Sequence, residues 1–472
     1  MLQFFKNLLP TRLLALLLLL LALRLPQFGL GHVPTPGELR LLLLGERLRE
    51  GALLYRDLYD GTAPLTAAAA ALLEVLLPRP VLLYQLLALA LLLLQALRLH
   101  TVLNRIGAHP ERGYLAALTY LLVGSLSTDL DTLSPLLLGH TFIVLALSAL
   151  LPTSREGYDN RRLFRAGFLM GGAALCYLPL ALFGLLGLFA VVIFAANSFR
   201  SSLLLLCGML FPYALVATFF LYLDALPGFA QFHLEPTFSG RNAGLDGLPL
   251  AVQGPLLAVA AGLLGLGLLR AAGTALGLVA QAKFRQLMLV WLLVAGAVAL
   301  AGRGVAPGTL VLMLPPLAYF SLFLWQRARP TWWPDVLLLL TIVIVTGLRY
   351  RALVPGLETA LHLPAESRFG LRPAPRLAGL RGQRVLVLGP DPRPYLTNQL
   401  ASPYLDWGLA QADFDHLNEY AALVRIAQRI TADPPTYIID QQQLLPRLRT
   451  LLPAAFSRYE PAPMPGVYHL KP

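Results

Sequence analysis

Lysine is nearly missing from this chain: among 472 residues it occurs only as Lys6, Lys283 and Lys471, although the net charge is +12. The positive charge is arginine, and most of it sits in short segments between apolar runs. That placement argues against a nucleic-acid-binding patch and for orientation in a bilayer. Charge of either sign is scarce, 13% of residues against about 25% in a soluble domain. The two cysteines, Cys176 and Cys207, both lie in apolar segments, which excludes a disulfide framework and offers no metal-ligand spacing. There is no internal repeat, which argues against a transporter built from duplicated halves. The C-terminal residues contain no GxGxxG or P-loop, which argues against a nucleotide domain.

Leucine-rich runs dominate instead, with 57% hydrophobic residues and a mean hydropathy of +0.66. Runs of about 20 apolar residues span a bilayer, and shorter ones do so where neighbours bury their ends. The expected fold class is an all-α polytopic membrane protein of about 11 transmembrane helices, with a small C-terminal α/β extracytoplasmic domain. The first span covers 11–30. It follows Lys6 and Arg12 and leads into Arg24-Leu-Pro-Gln without a small-residue cleavage site, so it reads as retained.

The remaining spans fall at 81–97, 114–126, 136–151, 166–180, 181–197, 202–223, 250–269, 286–302, 307–325 and 335–349. The pair at 166–197 shares a short turn near Pro179. Inward loops then hold Arg98, Arg105 and Arg112; Arg155, Arg161, Arg162 and Arg165; Arg200; Arg270, Lys283 and Arg285; and Arg327 and Arg329. Beyond the long first one, outward loops hold only Arg241 and Arg303. This asymmetry places the N-terminus in the cytoplasm and the C-terminal domain outside a cytoplasmic (inner) membrane. It also requires the Ala-rich helix 64–77 to be juxtamembrane rather than spanning.

Three regions are expected: 1–350 as the membrane domain, with 31–80 as its first outer loop; 351–382 as a linker; and 383–472 as a soluble domain. In the last, Arg384-Val-Leu-Val-Leu-Gly, Thr436-Tyr-Ile-Ile-Asp and Gly466-Val-Tyr-His-Leu read as strands, with helices at 412–430 and 443–452 between them. In the first outer loop Leu41, Leu44, Leu48 and Ala52 form a helical stripe suited to the bilayer face.

Polar candidates gather in the outer loops. The first contains Glu38 and the run Gly51-Ala-Leu-Leu-Tyr55-Arg56-Asp57-Leu-Tyr59-Asp60-Gly-Thr-Ala-Pro64-Leu65. The second, Ser127-Thr-Asp129-Leu-Asp131-Thr, has two carboxylates and no compensating cation. Glu38 also suits the first turn of a helix, Asp57 and Asp60 suit Asx turns, and Asp131 suits a cap. Glu74 and His140 are ionisable residues in apolar helices; His140 reads as hydrogen-bonded. Asn398, Tyr404 and Asp406 read as a glycan-contacting surface or as solvated loop.

The first span, outer amphipathic helix and "G-x-x-x-Y-R-D-x-x-D-x-x-x-P-L" order resembles the GT-C membrane glycosyltransferases, in the protein mannosyltransferase and aminoarabinose transferase branch, and more closely an uncharacterised bacterial GT-C-like family. The resemblance covers about residues 1–350. It implies transfer from a polyprenyl-phosphate-linked sugar to a glycan, lipid or protein acceptor at the outer membrane face, with the lipid bilayer as the other partner and no nucleic acid. Under it, Glu38 or Asp57 would be the base, Arg56 a donor-phosphate contact, Tyr55 and Asp60 further site residues, and Asp129 and Asp131 ligands for Mg²⁺ or Mn²⁺. The chain departs from the family where an Asp-Glu pair becomes Gly37-Glu38: Glu38 or another acid has the role, or catalysis is lost. The alternatives are a non-catalytic scaffold for envelope assembly or export and, last, a transporter or flippase.

Overall fold

The computed structural model describes residues 2–29, 33–109, 112–151, 160–194, 198–235, 250–274, 278–301, 308–326, 332–353 and 370–471. Arg155, Arg241, Arg303, Arg327, Arg329 and half of the expected linker fall outside the described residues. The chain is mostly helical, with one small sheet near the C-terminus. It divides into two compact units: 1–32, 81–216 and 244–366 form the first, and 33–80, 217–243 and 367–472 the second. Contacts thus group the first outer loop with the C-terminal residues rather than with the helices expected to carry it.

In the first unit a helix stands at each of the eleven expected positions. Three of these helices, Val81–Ile106, Phe199–Tyr222 and Val279–Ala301, are long and apolar enough to cross a membrane. Others fall short of the roughly 30 Å hydrocarbon layer. Leu115–Gly124 has ten residues, about 15 Å at the α-helical rise, and all ten are buried. The expected pair at 166–197 becomes Asn160–Cys176, a 3₁₀ segment Leu178–Leu182 and the 12-residue helix Phe183–Phe194. Pro179, near the start of the 3₁₀ segment, supplies no N–H to continue a helix.

Large apolar side chains point away from the helices' shared core: Leu210, Leu269, Leu293 and Leu300 are 67–80% exposed. Exposed leucine on this scale matches a lipid-facing surface. Inside, Asn160–Cys176 crosses Ser198–Tyr222 at glycine. A Cβ at Gly167 or Gly171 would overlap the Leu205 or Met209 carbonyl oxygen, and one at Gly208 the Phe164 carbonyl oxygen. Such Gly-x-x-x-Gly spacing lets two backbones approach closely where lipid supplies no hydrophobic drive between helices.

The helix ends of this unit fall into two groups. In one, Tyr114 N–H donates to Phe5 O (2.7 Å), the Leu2 N–H to Asp335 (2.9 Å), Gln281 to Gly107 O (3.2 Å) and Lys283 to Ile193 O (2.6 Å). In the other, Tyr350 hydroxyl donates to Ala22 O (2.6 Å), Arg349 Nε to Leu23 O (2.8 Å) and Gly308 N–H to Asp129 (3.3 Å). The first group is flanked by Lys6, Arg105, Arg112, Lys283 and Arg285.

The second unit is built on a five-stranded sheet of order β2-β1-β3-β5-β4, with β1 Arg384–Leu388, β2 Gln399–Leu400, β3 Tyr437–Asp440, β4 Tyr459–Pro461 and β5 Val467–Leu470. β1 runs parallel to β2 and β3; β5 is antiparallel to β3 and β4. The three expected strands are present, and the long expected helix is divided into Trp407–Asp415 and Tyr420–Ala432.

Helix Pro36–Arg49 packs against this sheet. Leu39 and Leu43 join Val385, Val387, Leu400, Ile439 and Val467 in one buried cluster. Gly45, on the same helix, lies against the Ala70 carbonyl of helix Pro64–Leu76. Of the stripe expected on the bilayer face, Leu41 and Leu44 are buried and Leu48 and Ala52 half-buried, and Leu39, Leu42 and Leu43 between them are buried as well. Arg79, held at a left-handed φ of 48° between two prolines, closes the loop. Its guanidinium donates to the carbonyls of Leu396 (2.9 Å), Asn398 (2.6 Å) and Tyr395 (3.3 Å) and to Glu46 (3.1 Å).

Candidate functional site

The signature residues of the first loop turn out to alternate between anchors and surface. Tyr55 is buried at a left-handed φ of 67°, a conformation costly for a non-glycine residue. It is held by its hydroxyl on Thr62 O (2.6 Å) and by the rings of Phe220 and Phe229. Tyr59 donates to Asp413 (2.8 Å) beneath the stacked Arg429 guanidinium. Asp60 is fully buried, accepting from Arg40 Nε (2.7 Å), and Arg40 also pairs with Asp406 (2.7 Å). Arg56 and Asp57 face outward and pair with each other (2.9 Å).

The Asp57 carboxyl also accepts the Leu53 N–H (2.8 Å). Burial raises its pKa, but the hydrogen bond and charge of Arg56, with the Leu53 N–H, outweigh that and hold it below the usual carboxylate range. A carboxylate so stabilised is a weak base. Glu38 is 2% exposed, in the first turn of the helix that Thr35 caps; its backbone N–H donates to Thr35 Oγ1 (3.3 Å), as in a capping box. The glycan-contacting surface expected at Asn398, Tyr404 and Asp406 is not one, since all three are buried. Asn398 closes a turn on Pro394 O and the Gln383 N–H, and Asp406 caps helix Trp407–Asp415.

Asp129 and Asp131 belong to the first unit and the first-loop acids to the second. Asp129 accepts from Ser127 (3.3 Å) and Gly308 (3.3 Å). Asp131 lies between two arginines, one oxygen pairing with Arg24 and the other with Arg349. Arg24 also donates to Leu130 O (2.9 Å). A divalent cation needs about six oxygens and no adjacent positive charge, and these residues do not fit one. Among the described residues no group of three or more His, Cys, Asp or Glu stands where a metal would need them.

What this cluster does offer is positive charge. Arg24 is 1% exposed and Arg349 8%. Arg24 Nε and Nη2 and Arg349 Nη1 are buried with no hydrogen-bond partner among the described residues. Such donors cost about 1–3 kcal/mol each when left unsatisfied, and a guanidinium edge matches phosphate or carboxylate oxygens. Neither arginine was singled out by sequence. The available signal was arginine at the ends of otherwise uncharged apolar runs, where ionisable residues are expensive. Elsewhere in the core, His140 is hydrogen-bonded as expected, to Gln95 (3.1 Å), which also takes the Tyr120 hydroxyl (2.7 Å).

No family model, curated protein or solved structure matches the chain.

Proposed function

We propose that this chain is a GT-C-type membrane glycosyltransferase that takes its sugar from a polyprenyl phosphate at the outer face of the cytoplasmic membrane. The observation that carries this reading is the buried Arg24–Asp131–Arg349 cluster with its three unmet guanidinium nitrogens. A leaving lipid phosphate gathers negative charge as the sugar departs, and fixed donors in a dry site stabilise that charge most strongly. In this reading Arg24 and Arg349 have the phosphate role that the sequence assigned to Arg56, and no metal is involved. Eleven crossings, with the cluster at the outer ends of the spans, agree with the two groups of helix ends. The basic residues Lys6, Arg105, Arg112, Lys283 and Arg285 flank the opposite group, as cytoplasmic loops do. The acceptor would be a glycan, lipid or protein.

The test is lipid-linked-sugar and glycan analysis of a deletion strain complemented with wild type, Arg24→Gln or Arg349→Gln. The deletion and both variants should accumulate a lipid-linked sugar and lose the corresponding glycan. Full rescue by both variants, at wild-type protein levels, would leave a scaffold role as the reading.

A further inference from the structure

Within the second unit, the carboxyl ends of β1 and β3 bring three loops together. The two strands are parallel neighbours, but the chain leaves β1 toward β2 and leaves β3 toward β4 and β5, on opposite sides. In open α/β sheets ligands bind in the crevice where loops depart in this way. Gln441 joins the first two loops: its Oε1 accepts the Asp391 N–H (3.0 Å) and its Nε2 donates to Asp391 O (3.0 Å). A Cβ at Gly389 would overlap that same side chain. The third loop is held by the Asp440 N–H, which donates to Gly466 O (2.8 Å).

The chemistry at this end of the sheet is polar but offers no spare charge. Arg393 Nε lies 2.9 and 2.7 Å from the two oxygens of Asp391. The Asp440 carboxylate is occupied by the N–H groups of Gln442 (3.3 Å), Leu444 (3.0 Å) and Leu445 (2.8 Å). The third loop, Ala462-Pro-Met-Pro-Gly466, carries no charge. A phosphate or carboxylate would therefore meet only a guanidinium already paired. What stands open are the side-chain amides of Gln442 and Gln443, both exposed and without a partner among the described residues. Each offers donors and an acceptor, which neighbouring hydroxyls on a sugar ring can meet together. Gln443 also stands at a left-handed φ of 57°, which glycine would adopt without cost. Strain held in place by its surroundings, here by Asp440, gathers at functional segments, and the amide is what glycine would lack.

We infer that this end of the sheet binds a neutral saccharide, with Gln442 and Gln443 as its hydrogen-bonding pair. The site takes no part in sugar transfer and stands whether or not the donor reading above does.

Saturation-transfer NMR on the full-length protein in phosphatidylcholine nanodiscs tests it. Maltotriose, mannotriose and triacetylchitotriose are the neutral probes, and trigalacturonate is the charged one. At least one neutral probe should bind, and trigalacturonate more weakly. Gln442→Ala with Gln443→Gly should weaken that binding about tenfold, the loss of one to two hydrogen bonds. The unfolding midpoint of the same variant should stay level or rise, because the left-handed turn is relieved. Gln428→Ala, at an exposed glutamine on helix Tyr420–Ala432, should bind as wild type. Binding of no neutral probe, binding that the double variant retains, or tighter binding of trigalacturonate overturns the inference, and none of these bears on the arginine cluster.

Discussion

The crossing of helices Asn160–Cys176 and Ser198–Tyr222 makes a quantitative claim at Gly167. A Cβ there would stand 2.9 Å from Met209 N and 3.0 Å from Leu205 C, besides overlapping the Leu205 carbonyl oxygen. None of these is the movable end of a side chain, so the two helices must part by on the order of 1 Å. Overpacking of this kind costs about 1–3 kcal/mol, and the glycine-to-alanine gain in helix propensity, roughly 0.5–1 kcal/mol, offsets part of it. The net expectation for Gly167→Ala is a loss of about 1–2 kcal/mol. Gly296, in helix Val279–Ala301, is the control: a Cβ there meets nothing within 4 Å, and Gly296→Ala should be neutral or slightly stabilising. Unfolding of the detergent-solubilised protein, followed by near-ultraviolet circular dichroism, compares them in one experiment. Equal midpoints for the two variants would refute the close crossing.

Arg79→Met keeps the aliphatic stem but removes four donated hydrogen bonds, and it leaves the buried Glu46 without its partner. It should destabilise the second unit by about 2–3 kcal/mol, read as faster proteolytic cleavage within 370–471; an unchanged cleavage rate would count against the anchor. His233 gives a pH dependence. Burial, only partly offset by a hydrogen bond with Gly61, lowers its pKa to about 4 from an ordinary value near 6.5. The folded form then binds the proton less readily than the unfolded one. The stability from keeping this ring neutral is complete above about pH 6.5 and falls as the pH drops toward 4, by up to about 3 kcal/mol. His233→Phe should flatten stability against pH in that window by close to one proton, and identical slopes would show the burial to be misjudged.

The legible parts of the fold are those with local causes. Strands β1, β3 and β5 were visible as β-branched apolar runs between turn residues, and the helices at the eleven expected positions of the first unit were visible as apolar runs. Helix Pro36–Arg49 was visible too, but what covers it was not. Its leucines match a membrane face as well as they match a sheet, and the sheet residues Val385 and Val387 lie more than 300 positions further along. The arginine cluster was hidden for the same reason. Asp131 looked like an acid without a cation because its cations are Arg24 and Arg349, each more than 100 residues away along the chain. Gly167 and Gly171 had the spacing of a helix crossing, a signal present in the sequence and unused. Arg56 was misleading in the opposite sense, because a charged residue in a signature run drew a role that its exposed pairing with Asp57 does not suit.

The joining of 33–80 to 370–471 has a consequence for biosynthesis. A ribosome adding about 5–20 residues per second needs roughly 20 to 80 s to travel from residue 80 to the last strand of the sheet. Throughout that delay the face bearing Leu39 and Leu43 has been made but has nothing to cover it. A nascent chain in that state needs an interim shelter, and truncation anywhere before β5 would strand the loop without its permanent one.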